Sequence, residues 1–536
     1  MDITPSANGN SISEAILNKK KFRLFGLTPE AIIRYFFQGN AGVALLVLAL
    51  IMVFLLREGM GFFGQNLRNL RLYRQAGLEY VDFVKHQVDA HTDLTRASNS
   101  IRVSQFQRYL KQGRSIEQAN AALAHFDEFA NALGDAVEDV RSLASDLSDS
   151  AIAIKQKEQI YIDSLEEKAM LLRAGKGDKA AALVGANVDL KAEVTILQLT
   201  FPAYQAANRQ FAEKMMLAMS VGGVNPLDPI GNESLAKLKL GAQAFVATFP
   251  TIESKMSAWR SDMPIPWYQS LSSFLFGREW LTASFWQDWY GIVPLFVGSL
   301  MVSAIALLIA VPLGIAGAVY VSEIATQREK SWIKPGIEFI SAIPSVVLGF
   351  FGIAILGQFL RALSQVPWLS WVPGFPMSER LNSLTAGALL ALMAIPTIFS
   401  LAEDALNNVP RHFKEASYAL GATRLQTIVR ILMPASLSGI ISAILLGFGR
   451  VIGETMVVLL CAGNRIQIPD FTAGLGAFFQ PVHTMTGIIA QEMGEVVPAS
   501  IHYRALFMVG IVLFILTLGI NFLAQKIVHR YRISIG

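Results

Sequence analysis

The chain carries little with which to do chemistry alone. It has 536 residues and one cysteine, so no internal disulfide can form and no paired thiolates can hold a metal. Cys461 sits in an apolar segment without a neighbouring base, which reads as a small buried residue and not as a nucleophile. No segment has the spacing Gly-x-x-x-x-Gly-Lys-Ser/Thr, and Gly175-Lys176-Gly177-Asp178-Lys179 only imitates its composition. Charge is scarce as well. Charged residues make up 16% of the chain and the net charge is +4, too little for a nucleic-acid binder. No nucleophile and base pair or metal-ligand cluster stands out, so an enzyme is not expected.

Apolar residues are abundant instead, at 53%, and they are grouped. Runs at 41–56, 294–321, 337–360, 383–401, 436–461 and 506–525 approach the ~20 residues that cross a bilayer core, which predicts six membrane spans. The first run follows a long lead-in and is succeeded by Arg57-Glu58-Gly59, so it reads as an uncleaved anchor rather than a signal peptide. Lys19–Arg23, Arg328, Lys330, Lys334, Arg411, Lys414, Arg424, Arg430, Lys526, Arg530 and Arg532 fall on one side if each run crosses once. That places both termini in the cytoplasm. Trp280, Trp286 and Trp289 precede the second run, where an aromatic belt is expected at the headgroups.

The expected organisation is a cytoplasmic segment at 1–38, a first transmembrane helix at 39–60, an extracytoplasmic, mainly helical domain at 61–285, and a membrane core at 286–536 with a loop at about 403–434. The external domain has no proline from Leu78 to Phe201. Phe126, Phe129, Ala130, Leu133, Val137 and Val140 recur at three- and four-residue spacing, and breaks fall at 175–177 and 222–229. These features predict a bundle of about four long helices. Such bundles also serve as sensor inputs, but no signalling coiled coil follows the second span.

Two stretches carry the mechanism. The first, Glu415-Ala416-Ser417-Tyr418-Ala419-Leu420-Gly421-Ala422, is followed by Ile431-Leu432-Met433-Pro434 between spans four and five. Gly421 allows a sharp turn between short helices, and Leu425, Ile428, Val429 and Leu432 form an apolar stripe that could dock a partner or lie on the membrane. The second, Gly447-Phe448-Gly449-Arg450-Val451-Ile452-Gly453-Glu454-Thr455-Met456, places an arginine within span five. An arginine there costs roughly 2.5–3.5 kcal/mol on insertion scales. Glu454, one helical turn on, is its expected partner, with Gly449 and Gly453 admitting a neighbouring helix. The pair either locks packing or meets an oxyanion, for which a guanidinium fork is suited.

The first stretch resembles the EAA motif with which ABC importer permeases contact their ATPase, Met433 replacing the usual leucine. The second resembles the Gly-Arg-Ala-x-Gly-Glu-Thr-Met segment of the C-type permease of bacterial phosphate (Pst) importers, with Val451 in place of alanine. Met456-Val457, where the A-type subunit has Ala-Pro, favours the C-type. Segments 290–294, 310–314, 343–347 and 489–495 are similar in the same order, with Gln491 where asparagine is usual. The resemblance covers 270–536 and implies an all-α type I ABC importer permease in the cell inner membrane. It implies an A-type permease partner, an ATPase dimer that holds the ATP and magnesium, no cofactor in this chain, and a periplasmic phosphate-binding protein. Carried over, Arg450 and Glu454 are the translocation pair for inorganic phosphate, and Glu415, Ala416, Gly421 and Ala422 belong to the coupling segment. Import of sulphate, molybdate or a phosphonate, and a sensor built on the external bundle, are the alternatives. Glu492, Glu495 and His483 could line an outer mouth or be solvated loop residues, the expectation for His483 alone.

Overall fold

A computed structural model describes residues 29–182, 189–221, 227–369 and 371–531. The basic cluster Lys19–Arg23, Arg532, and most of the expected break at 222–229 lie outside the described residues. The described chain forms two compact units. One is drawn from residues up to Phe62, from Gly298–Arg465 and from Pro469 onward; the other is Phe63–Val297 with Ile466–Ile468.

Five described helices, lying wholly or mostly in the first unit, are long and apolar enough to cross a membrane: Ile33–Gln75, Val293–Ile324, Ser345–Ser364, Ser383–Asn407 and Ile501–Ile527. Arg424–Ala435 and Leu437–Ile452, bent by 70° between them, make a sixth if taken as one broken span. Ser383–Asn407 is central, packing against Leu437–Ile452, which in turn packs on Ile501–Tyr531. Glycines set the closeness of these crossings. A Cβ on Gly387 would lie 2.6 Å from Ile305 Cγ2, on Gly314 2.9 Å from Ile398 Cγ2, and on Gly447 2.7 Å from Ile398 Cγ1. The cores between them are accordingly rich in small residues, among them Ala306, Ala310, Ala386, Ala391, Ala394 and Ala443. The first span packs on the last, with Phe54 edge-on to Phe507 at 5.7 Å.

Two spans differ from their expected limits. The run expected at 337–360 is split: Gln327–Ser341 is a separate helix started by a Thr326/Glu329 capping box, and the span begins at Ser345, after Pro344. Proline lacks the N–H a continuing helix would need, which makes that boundary local. The run expected at 436–461 stops at Ile452 with Gly453 as C-cap and resumes only at Met456–Cys461.

The second unit is a helical bundle with more pieces than the expected four. Leu78–Lys111, Ile116–Asp135, Glu138–Arg173, Phe201–Val221 and Pro229–Val246 each have 18 residues or more, and shorter helices follow at Phe249–Ala258 and Trp267–Phe276. Its core is aromatic: Tyr80, Phe126, Phe129, Tyr204, Phe211, Phe249 and Trp259 are buried together. A polar chain threads it, in which Tyr204 donates to Gln87 (2.8 Å), Gln87 to Asn208 (2.7 Å) and Asn208 to Glu253 (2.7 Å). The three tryptophans expected in an aromatic belt are used here instead. Trp280 is buried in the Trp280–Leu281/Trp289–Tyr290 hairpin, Trp286 donates to Asp82 (2.8 Å) and Trp289 stands edge-on to Tyr73 at 5.3 Å.

Candidate functional site

The break after Ile452 decides what Arg450 and Glu454 can do. Continuous helix would stack the two side chains one turn apart; the stop at Gly453 separates them. Arg450 is exposed and its Nη1 donates to Thr397 Oγ1 at 3.0 Å. Thr397 follows Pro396 inside the central helix Ser383–Asn407. Glu454 instead turns back on the chain: its Oε1 accepts from Met456 N at 3.3 Å, where the next helix begins, and its carbonyl accepts from Thr486 Oγ1 at 2.8 Å. The expected ion pair is therefore replaced by two separate contacts. The expected helix approach at Gly449 and Gly453 also moves, since added side-chain carbons there would meet nothing beyond the helix's own backbone, whereas Gly447 touches Ile398.

A guanidinium carries five N–H donors, and one of them is taken by a neutral hydroxyl. The residue is exposed, at a point where one helix ends and another starts. In membrane proteins such broken helices bring polar backbone and charged side chains to the substrate path. Among the described residues no cluster of His, Cys, Asp and Glu could hold a metal ion. Cys461 is buried, with its thiol donating to the Gly349 carbonyl at 3.3 Å.

The Glu415–Ala422 segment forms the turn its glycine predicts. Arg411–Ala419 is helical, Gly421 adopts φ +80°, and two backbone bonds close the end: Gly421 N to Tyr418 O (2.9 Å) and Ala422 N to Ser417 O (3.1 Å). This is a Schellman ending, which glycine supplies without a Cβ penalty. Thr423 then starts the next helix with a capping box to Gln426. Ser417 and Thr427 meet across the turn, their hydroxyls 2.8 Å apart. The expected apolar stripe divides: Ile428 and Leu432 are buried, while Leu425 and Val429 are exposed beside Tyr418 and Leu420, the last 89% exposed. Glu415, Ala416 and Gly421 are exposed and Ala422 is half-buried.

Two ion pairs that sequence spacing did not reveal tie this region together, one from the turn to a span and one between the neighbouring helices Gln327–Ser341 and Ser383–Asn407. Lys414 Nζ lies 2.5 Å from Glu323 Oε1, at the end of the Val293–Ile324 span, and Lys334 Nζ lies 2.9 Å from the largely buried Glu403. Each joins residues far apart in the chain. His483 was expected in a solvated loop, but it is 2% exposed. Its Nδ1 accepts from Thr484 N at 3.0 Å, which leaves the proton on Nε2, 3.1 Å from Gln491 Oε1. Glu492 pairs with His502 at 2.7 Å, and Glu495 is exposed.

Residues 310–533 match the family described as binding-protein-dependent transport system inner membrane component. A probable ABC transporter permease protein YqgH of Bacillus subtilis is 35% identical over 275 residues, which cover 49% of this chain and 83% of that protein. Phosphate transport system permease proteins PstC of Pasteurella multocida and Mesorhizobium japonicum are 30% and 31% identical over 266 and 274 residues. These matches cover 48% and 49% of this chain, and 80% and 81% of theirs.

Proposed function

Because this chain belongs to the binding-protein-dependent inner-membrane permeases of ABC transporters, and is a multi-pass transport component rather than an enzyme, we propose that it is the C-type permease of an importer carrying inorganic phosphate into the cytoplasm. The observation that carries the proposal is the exposed Arg450 guanidinium at a helix break, bonded to the neutral Thr397 hydroxyl and to no carboxylate among the described residues. A tetrahedral oxyanion fits the donor fork of arginine through paired charge-assisted hydrogen bonds. Glu454, fixed four residues on by Met456 and Thr486, keeps a negative charge near the path, which opposes permanent capture of the anion.

In this reading both termini and the Arg411–Ala435 region lie in the cytoplasm, and the helical bundle lies outside. Tyr418, Leu420, Leu425 and Val429 present the apolar face toward an ATPase dimer, and Lys414–Glu323 passes its motion to the span that ends at Ile324. An A-type permease completes the pathway, and a phosphate-binding protein delivers the anion. ATP binding closes the ATPase pair, the turn around Gly421 moves with it, and the path opens outward; hydrolysis reverses the change. Magnesium and ATP belong to the partner ATPase.

Substrate identity is tested by uptake of labelled phosphate, sulphate and molybdate in cells lacking this chain, with and without the wild-type chain restored. The proposal expects phosphate uptake alone to return, and excess unlabelled phosphate but not sulphate to suppress it. Return of sulphate or molybdate uptake without phosphate overturns the substrate and leaves the permease.

A further inference from the structure

The Trp267–Phe276 helix is inverted for a surface that faces water. Its inner side carries Ser270 and Phe274, both buried, with Ser273 part-buried beside them. Its outer side carries Trp267 (73% exposed), Tyr268 (58%), Leu271 (37%) and Phe276 (74%) with one polar residue, Ser272, among them, and the helix contains no charged residue. At 3.6 residues per turn these outer side chains span about half the circumference. A helix on a soluble surface puts its polar residues outward and its apolar stripe inward. Here Ser270 and Ser273 are inward groups beside Phe274, and their hydroxyls are satisfied there: Asn66 Nδ2 lies 3.1 Å from both Ser270 Oγ and Ser273 Oγ, and Ser270 donates to the Phe63 carbonyl at 3.0 Å.

Those bonds attach it to the helix that carries the first apolar run. Phe63 and Asn66 lie on the same continuous helix as the first apolar run, and Phe63 is seven residues past Leu56, about 10 Å at 1.5 Å per residue. The far end is tied to the start of the second span. Ile292 N donates to Phe274 O (2.9 Å) and Val293 N to Gly277 O (3.3 Å), and Val293 is the first residue of the next apolar helix. The backbones of Gly277 and Gly291 touch there, so closely that a Cβ on Gly291 would lie 2.3 Å from the Gly277 carbonyl carbon. The helix is thus tied by hydrogen bonds to the helix that carries the first apolar run and to the residues that start the next apolar helix.

We propose that Trp267–Phe276 is an interfacial helix lying in the headgroup layer of the bilayer these spans cross, with the Trp267, Tyr268, Leu271 and Phe276 face in contact with lipid. Tryptophan and tyrosine are enriched at that depth because each has an apolar body and a polar tip, and a charge-free apolar face buries about 5–10 Å into the boundary. The polar side that such helices usually show to water is here bonded to Asn66. The helix takes the place of the belt expected of Trp280, Trp286 and Trp289, which the bundle consumes. The proposal rests on membership in a membrane permease family and not on the substrate.

The test places single nitroxide labels at Trp267→Cys, Tyr268→Cys and Phe276→Cys in the full-length Cys461→Ser chain in lipid nanodiscs, with Ile160→Cys and Leu199→Cys as exposed controls on the bundle. Oxygen, which partitions into lipid, and a water-soluble nickel chelate are the collision probes. The expected result is a several-fold higher oxygen-to-nickel collision ratio at the three helix positions than at the controls. Equal ratios mean the face meets water and overturn the proposal; low collision with both probes means another protein covers it, and also overturns it. As a check free of labels, lipids brominated in the upper acyl chain should quench wild-type fluorescence more than that of Trp267→Phe. An unchanged quenched fraction contradicts the proposal.

Discussion

The two units of this chain solve the packing problem with opposite side chains. In the bundle of Phe63–Val297 the core is made of large rings, with Phe211 stacked on Phe249 at 5.0 Å and edge-on to Phe245 at 5.9 Å. In the spans it is made of alanine with Leu, Ile, Val and Met, Phe399 the one ring among their described buried clusters, and Gly387, Gly314 and Gly447 are set against Ile305 and Ile398. The solvent explains the difference. A helix facing water gains by removing as much apolar area as possible, roughly 25 cal/mol per Å², and aromatic rings remove the most. Lipid tails give no such gain, so helices associate by close backbone approach, which small residues permit. One chain therefore shows that residue size in a core reports the surrounding medium as much as the fold.

The largest expected effect is in the bundle. Phe211→Ala removes a fully buried ring from the centre of the aromatic core and should destabilise that unit by about 3–5 kcal/mol, measured as lost amide exchange protection in Leu78–Lys111. Protection in Ser383–Asn407 should stay unchanged; equal loss in both would end the distinction between the units.

Next comes the reverse change in the spans. Gly447→Val places a Cβ 2.7 Å from Ile398 Cγ1 and should cost about 1–3 kcal/mol through overpacking. Ile398→Ala in the same chain should restore part of the loss in membrane-protein level or thermal stability. Gly449→Ala, whose new methyl meets nothing beyond its own helix within this chain, should leave this chain's own stability unaltered.

Caps should matter alike in both media. Ser115→Ala in the bundle and Thr423→Ala after the Gly421 turn each remove a capping box and should destabilise their helices by about 1 kcal/mol. Faster exchange limited to the first turn in each variant would confirm this; a much larger loss at Thr423 would give that turn a strain the bundle lacks.

The smallest effect is a pH dependence confined to the bundle. His91 is fully buried, donates from Nε2 to the Leu133 carbonyl at 2.7 Å, and stands edge-on to Phe211 at 5.3 Å. Burial first, and Arg141 nearby, hold its imidazolium below the ordinary histidine range, against a smaller opposing effect of the Leu133 bond. Below an unfolded-state value of about 6.5 the unfolded chain binds the proton first, so stability should fall as pH drops through that value and be unaffected by His91 above it. Asp82 acts in the opposite sense, its carboxyl held above the usual range by burial in spite of its bonds to Tyr73 and Trp286. The difference between wild type and His91→Gln isolates the histidine. It should vary between pH 7 and pH 5 and be flat above pH 7, and a flat difference throughout would remove His91 as the source.

What could be read from the sequence was local. The Gly421 turn and the membrane runs follow from spacing within a few residues, and they appear, though the runs at 337–360 and 436–461 are broken. The Arg450–Glu454 pairing did not, because it assumed one straight helix across Gly453, and Arg450 instead found Thr397 fifty-three positions away. Trp286 and Trp289 were read from their nearness to a span, whereas Asp82 and Tyr73, about two hundred residues earlier, decide where they point. The inverted Trp267–Phe276 helix left no sign either, since its apolar residues look like core until Asn66 is seen holding the other face.

The most direct test of the central reading is the initial rate of labelled phosphate uptake by Arg450→Gln, compared with wild type at matched membrane level in cells lacking the native chain. If Arg450 meets the anion as proposed, removing its charged donors costs roughly 1.5–3 kcal/mol, so the rate should fall roughly 10- to 100-fold, with Arg450→Lys retaining part of it. Uptake by Arg450→Gln at the wild-type rate would contradict the account, and would leave Arg450 as a helix-packing residue held by Thr397.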